Sequence, residues 1–526
     1  MSANDLLDRL RAWDEGRPVP TTAALPFPRV PDAQRLVVAF VRMAGESSPW
    51  GVAAGAPDAK PRFYTVPEPR NADLHAAFVE SFSAEILAHV GHPEHLPPPA
   101  QGESATERPF PRELLASRQL WMPGSTHVEM LHLLDFRYTL AMTGEEQRLK
   151  RVRALGRACG WLFRESTRPG QVRVHDATAR LRQLYAFPAE TVRQQHLGYL
   201  LAWLGSGDRD ARLAAAARAE KLSVGVTMHP EYERSALLAR LEDFNARRRA
   251  NDLGAFAKAT EIHDALVSEL DRRWKLTVEA IRAVDADPRP DNPLLPQVVA
   301  LGANECQFQY WAHEQRALRA DLSPEEKKRL GSHPETDFSP PRAASRYFAH
   351  LHAFETANAE LVHGDEVLLE RALDAGNGFS GTVTAVAPGS KKGRAQWTLE
   401  TSSDDALRLR EESKVCLIGA RKRGGSIVSV NTTPEGKREI VVDLRGVAKK
   451  EVTAALPDPT SAAWVGRRVR FLDDAVVGLS LSKGMKVWNA EGPGSWLTHA
   501  APRPEATEIP KEPVGDPLSV VKALEG

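Results

Sequence analysis

Cysteine is scarce in this 526-residue chain, and the three present, Cys159, Cys306 and Cys416, lie far apart. An odd, scattered set argues against a disulfide framework and fits a reducing compartment. No Cys-x-x-Cys pair exists, which excludes the usual cysteine-rich zinc site. Long apolar runs are missing too. The longest candidate, Leu197 to Leu204, is interrupted by Gly198 and ends at Gly205, far short of the ~20 residues a membrane helix needs. Met1 to Gly16 is charged and lacks the apolar core of a secretory signal. These absences together predict a cytoplasmic chain with no membrane partner. Charge of one sign is absent as well: 69 Lys and Arg balance 69 Asp and Glu. Any face for nucleic acid must therefore be local. No period of the tetratricopeptide or HEAT kind is present. No Gly-x-x-x-x-Gly-Lys-[Ser/Thr] occurs; Gly419 to Gly424 has the glycine spacing, but Gly425 stands in the lysine position.

What is there reads as an α+β multidomain chain, a mainly helical body with a small unit at each end. Residues 1–96 form a small α+β unit. Leu6, Leu7, Leu10 and Trp13 give Asp5 to Trp13 the spacing of an amphipathic helix, stopped by Pro18 and Pro20. Arg35 to Arg42 reads as a buried strand, Arg62 to Val66 as a second, and Leu74 to Val90 as a helix. A Pro-rich linker over 97–108 precedes a helical bundle over 109–340. In it, Ala259, Ile262, Leu266, Leu270, Trp274, Val278 and Ile281 mark one face of a long helix, with Asn251 as its cap. Helices are also expected at Asn304 to Leu318 and after Ser323-Pro324-Glu325-Glu326. A stalk helix over 341–376 then leads into a small β-barrel over 377–500.

The barrel is read from alternation. Trp397 and Leu399 alternate with Thr398 and Glu400, and Val469 and Phe471 with Arg468 and Arg470. Pro434-Glu435-Gly436-Lys437 is a hairpin turn, with proline presetting φ and glycine supplying a positive φ. Residues 376–500 carry about nineteen Lys/Arg against about thirteen Asp/Glu. The excess concentrates on turns: Lys391, Lys392 and Arg394 in one, Arg421, Lys422 and Arg423 in another, with Arg468 and Arg470 on the last strand. Such cations neutralise phosphates without reading sequence. Trp397 is the candidate stacking surface for a base, but its phase with Leu399 favours the core.

Gly364-Asp365-Glu366-Val367-Leu368-Leu369, followed by Gly381-Thr382-Val383-Thr384-Ala385-Val386, resembles the stalk and accessory barrel of superfamily 1 helicases of the nonsense-mediated-decay type. The match covers roughly a fifth of the chain. The resemblance implies a barrel and stalk that sit on the first RecA-like lobe and touch a single strand. Beyond a Pro-rich tether, Ala501 to Val514, the stretch Asp516 to Gly526 is similar to the short helix that precedes the phosphate loop in that family. With the motor motifs absent, the resemblance implies either the accessory half of a larger helicase or a stand-alone relative that acts with a separate ATPase motor. No cofactor and no ATP hydrolysis are expected from this chain alone.

Other constellations carry less. Glu129-x-x-His132 and Glu360-x-x-His363 have the spacing of di-metal bundle motifs, with Glu305 and Glu314 as conceivable completions. Their separation and the abundance of Glu and His favour chance, so no metal is expected. His350 and His352 point to different helix faces. Gly378-Phe379-Ser380-Gly381 is an incomplete nucleophile elbow. His175-Asp176 resembles a phosphohydrolase metal dipeptide, without its further histidines. Arg164, Arg168, Arg173, Arg180 and Arg182 form an arginine-rich stretch in which Glu165 and Asp176 favour local pairing. The leading expectation is a single-strand-binding accessory barrel. The alternatives are a helical scaffold whose barrel binds a protein, and a metal-dependent bundle enzyme.

Overall fold

The computed structural model describes residues 3–43, 48–91, 118–141, 146–167, 171–221, 227, 230–292, 361–391, 393–402, 404–445, 452–453 and 456–473. Several expectations lie outside them: the 97–108 linker, the 304–318 and 323–326 helices, Cys306, Glu305, Glu314, His350, His352, Glu360, Lys392, most of the 341–376 stalk, and everything from 474 to 526.

The first helix, α1 (Ala3–Glu15), is followed by a two-residue strand β1 (Val19–Pro20). β2 (Arg35–Arg42), β3 (Pro49–Gly55) and β4 (Arg62–Thr65) make an antiparallel meander. The sheet does not end with them. Past α2 (Ala72–His89), β5 (Gln119–Met122) adds parallel to β2, with Leu36 opposite Leu120. Past α3 (Ser125–Tyr138) and α4 (Glu146–Ser166), β6 (Val174–Asp176) adds parallel to β5. The result is a five-stranded mixed sheet in the order β4-β3-β2-β5-β6. The first hundred residues and the helical stretch after them thus share one sheet and one hydrophobic core.

All but the last residue of β2 are buried, as a central strand requires when both faces are covered. Two sets of helices supply that cover. α2, α3 and α4 pack on one another and on the strands. The second set is α5 (Ala177–Leu184), α6 (Leu197–Leu204), α7 (Arg209–Glu220), α8 (Ala239–Arg249) and the 32-residue α9 (Gly254–Asp285), which lies against β2, β3 and β4. A two-residue strand, β7 (Tyr185–Ala186), pairs with β1. The stripe on α9 is as expected: Ile262, Leu266, Leu270, Trp274 and Ile281 are buried. Its start differs. Asn251 has a φ of 53° in the preceding turn, and Asp252 Oδ1 accepts the Gly254 N–H at 2.8 Å. Gly51 lets α9 approach β3, because a Cβ there would stand 2.9 Å from Leu270 Cδ1.

The described end of the stalk is broken. Residues 361–364 are helical, the chain turns out of the helix at Asp365, and α10 (Glu366–Asp374) starts afresh. Asp365 is the reason. Its Oδ1 caps α10 by accepting the N–H groups of Val367 (2.9 Å) and Leu368 (3.1 Å). Its Oδ2 accepts those of Ala23 and Ala24, both at 3.2 Å. Arg371 also pairs with Asp8. The helix that opens the barrel is thereby tied to the N-terminal segment.

The barrel is closed and antiparallel. Its strands are β8 (Gly378–Pro388), β9 (Ala395–Thr401), β10 (Lys414–Leu417), β11 (Ala420–Thr432), β12 (Arg438–Leu444) and β13 (Arg468–Asp473). Around the circuit the order is β10-β11-β12-β9-β8-β13, and β13 closes on β10. β10, β11 and β12 are joined by hairpins, and β13 returns by a long connection to lie beside β10, a Greek-key path. Gly436 (φ 77°) supplies the expected turn between β11 and β12. Burial in β9 alternates residue by residue from Ala395 to Thr401, which directs Trp397 and Leu399 inward.

Candidate nucleic-acid interface

Register decides where the barrel's cations go. Ala395 of β9 faces Pro388 of β8 and Leu444 of β12. Leu444 faces Gly425 of β11, and Ala420 at the start of β11 faces Leu417 at the end of β10. Leu417 in turn faces Phe471, so the start of β13 lies at the same end of the barrel. Three segments separated in sequence therefore share that end: the 389–394 loop, the start of β11 from Ala420 to Gly424, and Arg467-Arg468 at the head of β13. The opposite end carries the Glu435 turn and the connection with Asp404, Asp405, Glu411 and Glu412. That end is mixed in charge, since Arg408, Arg410, Lys437 and Arg438 stand among these acids.

The individual side chains then divide by role. Lys391 is exposed. Arg468 donates from Nε to Ser380 Oγ at 3.0 Å on the surface. Among the described residues, no carboxylate pairs with either. Arg467, not singled out from the sequence, stands 5.1 Å from the Trp464 ring centroid beside them. Its only sequence signal is its adjacency to Arg468. The side chains of Arg421 and Lys422 lie outside those described, although their main chain is in β11.

Four expected site residues serve the fold instead. Trp397 is fully buried; its Nε1 donates to the Pro459 carbonyl at 2.7 Å, and its ring meets Trp464 and Phe471. It offers no face to a base. Arg423 is 2% exposed and donates to the carbonyls of Leu456 (2.7 Å) and Pro457, so its charge is sunk in holding the 456–459 segment. Arg394 Nη1 donates to Asp443 Oδ2 at 2.8 Å, and Ser390 Oγ donates to the same carboxylate at 2.6 Å. Burial pushes the Asp443 carboxyl up, but the hydrogen bonds from Ser390 and Arg394 and the Arg394 charge together outweigh it and hold the group below the usual carboxylate range. That knot shapes the 389–394 loop. Arg470 is paired with Glu366 and Glu370 of α10.

Arg467, Arg468 and Arg470 border a cleft of about 610 Å³ whose apolar floor includes Leu417, Trp464 and Val469. Glu370, paired with Arg470, also lines it, and those three apolar side chains are buried. Nothing comparable supports the other constellations. His132 stacks on Phe163 at 4.9 Å. His175 is buried, stacked on Trp121 at 4.4 Å, and bonded to Val172 O and Arg180. Arg173 is buried beside Glu165, and Arg180 is bonded to His175 and Gln171, so neither can serve a phosphate-facing patch. Gly419 (φ 78°) sits between the hairpin strands β10 and β11, with no helix after it to cradle a phosphate. Among the described residues, no three His, Cys, Asp or Glu side chains come together as a metal site. No helix among them is long and apolar enough to cross a membrane.

No family model, curated protein or solved structure matches this chain.

Proposed function

We propose that this chain binds single-stranded nucleic acid at the basic end of its barrel, as a cytoplasmic accessory region or subunit of a superfamily 1 type helicase or translocase. One observation carries the reading. The strand register brings three separate Lys/Arg-bearing segments to one end, and among the described residues Lys391 and Arg468 there pair with no carboxylate. Charge concentrated in this way attracts phosphate and releases counterions, whatever the base sequence. The link to a motor rests on the Gly364 to Leu369 and Gly381 to Val386 resemblance alone.

The test is fluorescence anisotropy of the full chain with a labelled single-stranded oligonucleotide across a salt series. A variant with Lys391, Lys392, Arg421, Lys422 and Arg468 changed to Ser is run beside it. Arg394, Arg423 and Arg470 stay, because they hold the barrel together. Binding that weakens with salt, at a slope of about 0.7 per phosphate neutralised, and that is lost in the variant supports the reading. Absent binding, or binding the variant leaves intact, overturns it.

A second reading, a scaffold for a protein partner, is favoured by α1. Leu6, Leu7, Leu10 and Trp13 are 50–57% exposed, so the apolar stripe faces outward instead of into the core. Partner binding through that stripe would be insensitive to salt and to the barrel variant.

A further inference from the structure

A second cationic cleft lies on the sheet-and-helix body, away from any residue assigned above. It has a volume of about 400 Å³ and is lined by Glu68, Arg70, Asn71, Asn245, Arg248 and Arg249. Arg248 and Arg249 stand in this lining with a single carboxylate, Glu68, whose oxygens are already engaged. Glu68 is 8% exposed, accepts Asn245 Nδ2 at 2.6 Å, and accepts the Arg70 main-chain N–H at 3.0 Å. The carboxylate stays negative, but both its oxygens are turned to these neutral donors, which fold the 67–71 loop onto α8. Asn71 caps the 18-residue α2, accepting the Leu74 N–H at 3.0 Å. The positive end of that helix is therefore at the cleft wall.

The three consecutive arginines that end α8 are treated differently. Arg247 is fixed by Asp243 and Asp252, each at 2.9 Å. Arg248 and Arg249 are exposed, line the cleft, and pair with no carboxylate among the described residues. A helix C-terminus favours basic residues, and that accounts for Arg247 in its ion pairs. It does not account for two further arginines converging with Arg70 and a helix N-cap around one cavity. Guanidinium groups and asparagine amides around a concave space match an anion with several oxygen acceptors, and phosphate above all.

We propose that this cleft is a phosphate-binding site, taking either the phosphodiester backbone of a nucleic acid or the phosphates of a free nucleotide. It is independent of the barrel reading. Arg248 and Arg249 make the contacts, and Glu68 and Asn245 position the loop that carries Arg70.

The test uses the full chain and two probes: inorganic tripolyphosphate by calorimetry, and a single-stranded oligonucleotide by anisotropy. The R248S/R249S variant is compared with the parent and with the barrel variant. Both arginines are exposed, so an unchanged thermal midpoint is expected, and R248K/R249K serves as a second check with charge retained. If a free phosphate source is bound, tripolyphosphate affinity falls about tenfold or more in R248S/R249S, largely recovers in R248K/R249K, and is untouched by the barrel variant. If a nucleic-acid backbone is bound, the oligonucleotide salt slope drops by about 1.4 for the two lost contacts, on top of any loss from the barrel. Unchanged binding of both probes in R248S/R249S overturns the proposal, whatever the barrel variant does.

Discussion

The Asp365 carboxylate accepts the main-chain N–H of Ala24 at 3.2 Å across 341 residues of sequence. The same side chain caps α10, so one residue both starts the barrel's helix and ties it to the N-terminal segment. Replacing it with Ala removes a cap worth about 1 kcal/mol and orphans two further N–H groups, at about 1 kcal/mol or more each. Asp365→Ala is expected to cost roughly 2–4 kcal/mol in chemical denaturation. Asp365→Asn should keep part of this, because its one carbonyl oxygen can cap α10 while its amide confronts Ala23 and Ala24. Equal stability of the Ala variant and the parent would refute the clamp.

Arg423 separates charge for binding from charge for folding. It looks like part of a basic turn in sequence, yet it is buried and feeds the carbonyls of Leu456 and Pro457. Arg423→Met should therefore destabilise the barrel by roughly 3–5 kcal/mol, since it leaves buried acceptors unpaired. Arg423→Lys should not rescue it, because one ammonium lacks the planar fork. The comparison is Lys391→Ser, for which the melting temperature should stay within error of the parent. A stable Arg423→Met variant that binds oligonucleotide poorly would reverse the assignment.

Trp397 gives the matching contrast for aromatic residues. Its Nε1 bond to Pro459 O and its contacts with Trp464 and Phe471 make it a keystone of the barrel core. Trp397→Phe is expected to lower stability by about 1–3 kcal/mol, through the lost volume and the orphaned carbonyl. Oligonucleotide affinity of the fraction that stays folded should be unchanged. A selective loss of affinity in a fully folded Trp397→Phe protein would mean that the indole is used by the ligand.

How much of this was legible in the sequence depends on the range of the forces involved. β2 was readable end to end, because Leu36 to Val41 is an unbroken apolar run, flanked by arginines, of the kind a doubly covered strand needs. β3 was not, since Pro49-Trp50-Gly51-Val52-Ala53-Ala54-Gly55 has little strand propensity of its own and owes its place to α9 packing against Gly51. β5 and β6 are short and look like helix-flanking loops until β2 gives β5 a partner and β5 gives one to β6. The barrel strands were visible through their period of two. Which cations are spoken for was not, because Arg394 meets Asp443 from 49 residues away, and Arg470 meets Glu366 from 104. Pairing at that distance is written in the register, and the register appears only once the barrel closes.

Histidine burial sets the acid limit of the body. His75 is 2% exposed, hydrogen-bonded through Nδ1 to the Tyr138 hydroxyl at 2.6 Å and stacked on its ring. Burial, helped by the Arg137 charge, pushes its pKa down from 6.5 to about 4. His127 and His175, fully buried near Arg273 and Arg180, are pushed well below the ordinary value in the same way. A histidine whose folded pKa is depressed stays neutral in the fold while the unfolded chain takes up a proton. Its stabilising contribution is therefore complete above the unfolded pKa of 6.5 and is lost as pH falls toward the folded value. For His75 alone the loss between pH 6.5 and pH 4 is about 3 kcal/mol. Denaturation midpoints should thus fall steeply across that window, with about one proton taken up on unfolding for each such histidine. His75→Gln, neutral at every pH, should start less stable at pH 7.5 through its imperfect packing, yet lose less on acidification. A parent whose stability is flat from pH 7 to pH 4, measured by urea titration at each pH, would contradict the burial of neutral imidazoles.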